Sequence, residues 1–129
     1  MTNGIKGIGI DLVDIEEFKR TINGKRGKDF VSNNFTEKEV AYAASIGVKP
    51  FCPLRMAAGF AAKEAVFKAL GIGWIKGKDV EVIHDAEGAP KLLLKGEAGK
   101  LKKKRKAKEA LISISYTDTH AVAVVILLA

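Results

Sequence analysis

Phe60-Ala-Ala-Lys-Glu-Ala-Val-Phe-Lys-Ala-Leu-Gly-Ile-Gly73 reads as the end of a helix that closes on Gly71. Ala, Leu, Lys and Glu are strong helix formers, and Gly is common just past a helix end. Helical spacing puts Ala57, Ala61, Glu64 and Lys68 on one stripe. Met56, Phe60, Lys63, Phe67 and Leu70 fall on the neighbouring one, which reads as core. The first stripe carries an acid and a base behind small side chains, leaving room for something large to lie flat and meet both charges. An ordinary surface salt bridge also satisfies this pair, because Glu64 precedes Lys68 by four residues in the favourable order.

Outward toward the N-terminus, Leu54–Leu70 is the longest predicted helix, with Pro53 suited to its first position and Val48–Pro53 a loop. Before it, Thr36-Glu-Lys-Glu39 is a capping box that opens a helix over Glu37–Ile46, ended by Gly47. Asp29–Phe35 is a short helix and Lys25-Arg-Gly-Lys28 a basic loop. Asp14-Ile-Glu-Glu17 caps a helix running to about Thr21, and Asn23-Gly24 is a turn. The chain opens on a strand, Ile5–Asp14, with Ile8, Ile10 and Leu12 on one face and Gly7, Gly9 and Asp11 on the other. Asp11 therefore stands beside two positions with no side chain. A carboxylate there needs a partner or a cation, or else it caps a turn at the strand end.

Beyond Gly73, Asp79–His84 and Lys91–Lys95 alternate as two strands of a hairpin around Asp85-Ala-Glu-Gly88. Gly96–Ala110 reads as a basic helix, and Leu111–Ser115 and Ala121–Leu128 as two further strands. The last strand is apolar on both faces, so it is either central in its sheet or buried in an oligomer contact. The order predicts one α+β domain over 1–129, with helices packed on one face of a mainly antiparallel sheet. The lone Cys52 excludes an internal disulfide and a cysteine-cluster metal site. No signal-peptide pattern appears, and Ala121–Ala129 is too short to span a bilayer, so a cytoplasmic protein with no membrane contact is expected. The net charge of +7 attracts nucleic acid, an anionic small molecule or an acidic protein.

Asp11 and Glu64 come from separate elements, with no His or Cys cluster nearby in sequence. Two carboxylates suit a hard cation such as magnesium, which keeps several waters and completes its shell with substrate phosphates. A lysine beside them helps hold phosphate.

Gly7-Ile-Gly-Ile-Asp-Leu-Val-Asp-Ile15, Phe60–Gly73 and Ser113-Ile-Ser-Tyr-Thr117 followed by Ala121 resemble, in order and spacing, the three motifs of holo-acyl-carrier-protein synthases. These are the small bacterial 4′-phosphopantetheinyl transferases. Phe35-Thr36-x-x-Glu39 and Gly88-x-Pro90 fit the same pattern, so the resemblance covers nearly the whole chain. It implies transfer of the phosphopantetheine arm of coenzyme A to a serine of apo-acyl carrier protein, with adenosine 3′,5′-bisphosphate released. Asp11 and Glu64 match the family's magnesium ligands, and Lys68 the contact to coenzyme phosphate, making these three the catalytic set. Lys63, Ser113, Tyr116 and His120 join Lys68 as expected coenzyme contacts. Whether Glu64 or a water takes the serine proton stays open. The resemblance also implies a homotrimer with active sites between subunits, serving lipid synthesis.

The chain departs from the pattern at three places. Glu17 stands where the family commonly has an arginine that reaches the acidic carrier. Carrier docking is expected to have moved to Lys19, Arg20, Lys25, Arg26 and Lys28. Gly59 replaces an arginine ahead of Phe60, and Arg55, one turn earlier, is the candidate substitute. Tyr116 and His120 exchange the usual His and aromatic positions; His120 is either a coenzyme contact or a turn residue. His84 reads as structural. Lys102–Lys108 reads as a solvated face, a carrier-docking surface or a nucleic-acid contact. Two competing functions remain: a basic nucleic-acid-binding domain, which lacks an aromatic stacking pair on a strand, and a non-catalytic relative.

Overall fold

The computed structural model describes residues 4–45 and 52–129. Ile46–Phe51, where the end of the third helix and most of the proline-containing loop were expected, lie outside the described residues. Strand β1 (Ile5–Asp14) leads into α1 (Ile15–Asn23), α2 (Gly27–Asn34), α3 (Glu37–Ala44) and α4 (Pro53–Ala69). A single 3-10 turn, Gly77–Asp79, precedes β2 (Val80–His84) and β3 (Pro90–Leu94). Then come α5 (Gly96–Lys104), β4 (Glu109–Tyr116) and β5 (His120–Leu128).

The α+β expectation holds, with the strands divided between two antiparallel sheets, β1-β5-β4 and β2-β3. The apolar last strand is central in the first sheet. Its register lines up Gly9 with Val125 and Ile112, Asp11 with Ala123 and Ile114, and Val13 with Ala121 and Tyr116. These rows face α4.

Helix α4 lies directly on β1 because that strand is bare where they meet. A Cβ at Gly9 would stand 1.9 Å from the Ala65 carbonyl oxygen, and one at Gly7 2.2 Å from that of Ala69. Ala57 and Ala61 are fully buried in this packing. They are core, and the expectation that they leave room for a ligand is corrected. Met56, Phe67 and Leu70 are buried as predicted. The helix ends in a Schellman motif, with Gly71 at φ +76° and bonds from Ile72 N–H to Phe67 and from Gly71 N–H to Lys68.

The capping predictions hold at Asp14, which accepts from the Glu17 N–H, and at Thr36, where the capping box with Glu39 is complete. Helix α5 is shorter than the sequence suggests. Lysines four apart repel each other along it, it closes at Arg105 with Lys106 at φ 61°, and β4 begins at Glu109 opposite Leu128.

The outer face of the three-stranded sheet is unexpectedly bare. Ile8, Ile10 and Leu12 are 63%, 58% and 64% exposed, in register with Ile126, Val124 and Val122.

Candidate active site

Since β1 and α4 touch through glycines and alanines, the next residues along each meet at the edge of the contact. Lys68 Nζ donates to Asp11 Oδ1 at 3.1 Å and to the Ile10 carbonyl at 3.0 Å. Lys68 thus pairs with Asp11, fifty-seven residues away, and not with Glu64 on its own helix. Asp11 and Glu64 line one cleft of about 380 Å³, together with Phe60, Asp14, Glu17 and His120. Burial, with the neighbouring Asp11 carboxylate second, raises the Glu64 carboxyl above its ordinary range, and Lys68 offsets this in part.

A cation between the two carboxylates would relieve that repulsion. Among the described residues no group of three or more His, Cys, Asp or Glu side chains is arranged to hold a metal. The pair therefore suits a hard ion that takes its remaining ligands from water and phosphate, as magnesium does.

At the cleft's rim the Glu17 N–H lowers the Asp14 carboxyl's pKa, and His120 adds to the effect. His120 Nε2 lies 3.8 Å from Asp14 Oδ2, and its Nδ1 is 2.9 Å from Thr119 Oγ1. The turn before it is pinned by the Ile15 N–H on the Thr119 carbonyl. The cleft thus contains His120, and also Asp14, which the sequence suggested only as a helix cap, and Glu17, which it marked as a helix-start acid in place of a carrier-reaching arginine.

Lys63 does not reach this cleft, and its expected role as a coenzyme contact is corrected. It is 0% exposed. Its ammonium donates to both Glu39 carboxylate oxygens at 2.8 and 2.9 Å, to the Gly77 carbonyl at 3.0 Å and to the Val80 carbonyl. The Glu39 carboxylate also accepts from the Thr36 and Val82 N–H groups. Burial lowers the Lys63 pKa, and the Glu39 charge opposes that. A capping-box glutamate followed by a lysine on a core stripe was the available signal for this pair.

Ser113 points to the outer face of its sheet, in register with Val124 and Ile10, opposite to the face that carries Asp11. Tyr116 lines a second cavity, of about 190 Å³, with Tyr42, Arg55, Gly59, His84 and Pro90. There the Tyr42 and His84 rings stack at 3.8 Å and 7°, and the Arg55 guanidinium lies 4.2 Å from the Tyr42 ring centre. Burial, with Arg55 second, lowers the His84 pKa. Among the described residues its buried Nδ1 has no partner, so the purely structural reading of His84 omitted its place in a cavity wall. Arg55 also donates to the Tyr42 carbonyl at 2.7 Å. The gap at Gly59 adjoins this cavity, which puts Arg55 where the sequence suggested a substitute cation.

Of the expected docking residues, Arg20, Lys25, Arg26 and Lys28 are exposed around the α1–α2 turn, while Lys19 leans on Glu16 at 3.7 Å. Among the described residues no helix is long and apolar enough to cross a membrane.

Residues 7–125 match the family model of the 4′-phosphopantetheinyl transferase superfamily. The holo-[acyl-carrier-protein] synthase of Caldicellulosiruptor saccharolyticus is 42% identical over 120 residues, covering 92% of this chain and 93% of the relative. That of Clostridium tetani is 41% identical over 121 residues, covering 92% of each. Among solved structures, the Bacillus anthracis holo-(acyl-carrier-protein) synthase in complex with CoA (3′,5′-ADP) superposes with a TM-score of 0.77. It is 29% identical and covers 98% of each chain. The Neisseria meningitidis holo-[acyl-carrier-protein] synthase gives 0.81 at 29% identity, covering 95% of this chain and 98% of that one.

Proposed function

The chain belongs to the 4′-phosphopantetheinyl transferase superfamily, and from that premise we propose that it moves the phosphopantetheine arm of coenzyme A onto a serine of apo-acyl carrier protein. One observation carries the reading: Asp11 and Glu64, from two elements far apart in sequence, line one open cleft, and Lys68 is paired with Asp11 beside it. The CoA complex of the Bacillus anthracis relative supports the choice of coenzyme.

Asp11 and Glu64 would hold magnesium. The ion would supply charge neutralisation for the pyrophosphate and for the departing adenosine 3′,5′-bisphosphate. Lys68 is 54% exposed. Its ammonium is free to turn from Asp11 toward a phosphate oxygen once a cation occupies the carboxylates. The serine oxygen of the carrier forms the new bond to the phosphorus that bears pantetheine, and the phosphoanhydride bond breaks. Glu64, its carboxyl raised by burial and by Asp11, is suited to accept the serine proton, directly or through water. Most of the barrier is lowered by placement of charge.

The nucleotide end of the coenzyme fits the second cavity. Arg55 offers a cation to phosphate, and Tyr116 and the Tyr42–His84 stack offer flat surface to a base. Tyr116 is two strands from Val13 across β5, about 10 Å at ordinary strand spacing. His120 is assigned the coenzyme side of the acidic cleft. Lys19, Arg20, Lys25, Arg26 and Lys28 flank that cleft on α1 and the turn after it, where an acidic carrier can be received.

The bare outer face of Ile8, Ile10, Leu12, Val122, Val124 and Ile126 is assigned to contact between copies of the chain, as a homotrimer. Exposed apolar area of this kind is costly in a monomer. Ser113 lies on that face, so it would reach coenzyme only across the contact.

Incubation with magnesium, coenzyme A and apo-acyl carrier protein, followed by mass spectrometry of the carrier, tests the assignment. A gain of one phosphopantetheine that requires the metal is expected. No gain on any of several carriers would overturn it.

A further inference from the structure

The positive charge of this protein is concentrated in one place. Between Lys95 and Lys108 stand seven lysines and Arg105 against a single acid, Glu97, a surplus of seven cations. The whole chain carries +7, so the remaining residues balance at fourteen of each sign. The α1–α2 stretch from Ile15 to Phe35 holds five cations against Glu16, Glu17 and Asp29. The long-range field of the molecule therefore arises from α5 and the turn that follows it.

These charges are available. Lys103, Lys104, Lys106 and Lys108 are exposed. Among the described residues, neither they nor Lys102 has a carboxylate within ion-pair distance, while Lys95 and Lys100 have only loose partners, Glu81 at 3.7 Å and Glu97 at 3.9 Å. The lobe also adjoins the reactive end of α4. Arg105 donates to the Lys6 carbonyl at 2.8 Å, and its guanidinium lies against Gly71. From Gly71, Lys68 is one turn back along α4 and Glu64 two, a span of about 10 Å. The Arg55–Tyr116 cavity borders the other end of the same helix.

We propose that the α5 lobe, Lys95–Lys108, is a steering surface that captures the acidic carrier protein at long range and passes it to the α1–α2 rim of the Asp11–Glu64 cleft. This deepens the transferase reading and rests on it for the identity of the partner. The lobe offers point charges and little else. It has no aromatic side chain on which a nucleic-acid base can stack. Its apolar residues Ala98 and Ala107 are buried and Leu101 is half-buried, so no apolar group is presented to a bilayer. Lysines on flexible stems suit a broad field of carboxylates, which steers encounter over the Debye length. The acids Glu16 and Glu17 at the start of α1 leave the cleft rim poorly suited to do this alone.

The test compares the wild type with Lys103→Gln/Lys104→Gln/Lys108→Gln, which retains helix-forming side chains and every residue of the cleft. Steady-state transfer is measured at low and moderate salt, and binding of fluorescently labelled apo-carrier is measured separately without coenzyme. The carrier KM and Kd should rise about tenfold in the variant, with less salt dependence, while kcat and the KM for coenzyme A stay unchanged. Unchanged carrier KM and Kd would overturn the proposal and leave the transferase reading standing. If the wild type transfers nothing yet binds carrier, and the variant loses that binding, the lobe assignment stands and the transferase reading falls. Tighter binding of the wild type to anionic phospholipid vesicles or to a DNA duplex than to carrier, at equal salt, would also overturn it.

Discussion

Two lysines five residues apart on α4 meet two carboxylates in opposite circumstances. Lys63 is sealed beneath the helix, its ammonium shared among the Glu39 carboxylate and the Gly77 and Val80 carbonyls. Lys68 sits at the edge of the β1 contact, half-exposed, on Asp11 beside a Glu64 whose carboxyl is held above its ordinary range. The side chains are chemically alike; burial and saturation of hydrogen bonds separate their roles. The inner pair has no donor or acceptor left for a ligand, and it joins α3, α4 and β2. Among the described residues the outer cluster has two acids and one adjacent cation, an imbalance that a metal ion can correct. The difference teaches that a charged motif divides between scaffold and chemistry according to which stripe of the helix each residue occupies.

That contrast can be broken most forcefully at Asp11. Asp11→Asn should reduce carrier modification on the order of a thousandfold, because a metal ligand and the anchor of Lys68 are lost together. Stability should change little, since the Lys68 end of the pair is half-exposed and such screened pairs contribute about 0–1 kcal/mol. Steady-state rates and denaturant midpoints on the same preparation check both halves.

The reverse pattern is expected at Lys63. Lys63→Met leaves the Glu39 carboxylate buried without its cation and should cost about 3–5 kcal/mol of stability. Whatever fraction stays folded should retain its KM for coenzyme A. A coenzyme KM that rises while the denaturant midpoint stays put would return Lys63 to the active site. Lys68→Met is milder in both respects: loss of one charge-assisted phosphate contact should reduce kcat/KM roughly ten- to a hundredfold, with the midpoint nearly unchanged.

The smallest effect is in pH. Glu64 has its carboxyl raised by burial and by Asp11, so the folded protein holds that proton more tightly than the unfolded chain does. Its contribution to stability is therefore largest in acid and fades as pH rises through the raised range. Cation binding requires the opposite, deprotonated form. At limiting magnesium the acid limb of kcat/KM should lie above the ordinary glutamate range, and excess magnesium should move it down.

The bare face of β1 was legible in the alternation of Gly7, Gly9 and Asp11, and with it the need for a partner at Asp11. Periodicity did not say which side of that strand is inside. Ile8, Ile10 and Leu12 look like core and are the exposed side, because α4 closes on the glycines. The same closeness turned Ala57 and Ala61 from apparent clearance into packing. Lys63 was misassigned because its partner Glu39 is reached only in three dimensions, through a residue whose local role as a capping glutamate was already sufficient. The early end of α5 followed from like-charge repulsion and from the pull of β4 pairing, and neither enters a count of helix formers. The motif order was visible without coordinates, but the Tyr42–His84–Arg55 wall of the second cavity was not, because it draws on three separate elements.

The central claim is that the open cluster performs the chemistry and does not hold the fold. Glu64→Gln tests it most directly, with phosphopantetheine transfer and the thermal midpoint read from one purified sample in magnesium. The expected result is loss of nearly all transfer with a midpoint at or above that of the wild type, since an amide removes the repulsion with Asp11. Transfer retained at wild-type rate, or lost only in step with a fallen midpoint, would contradict the account.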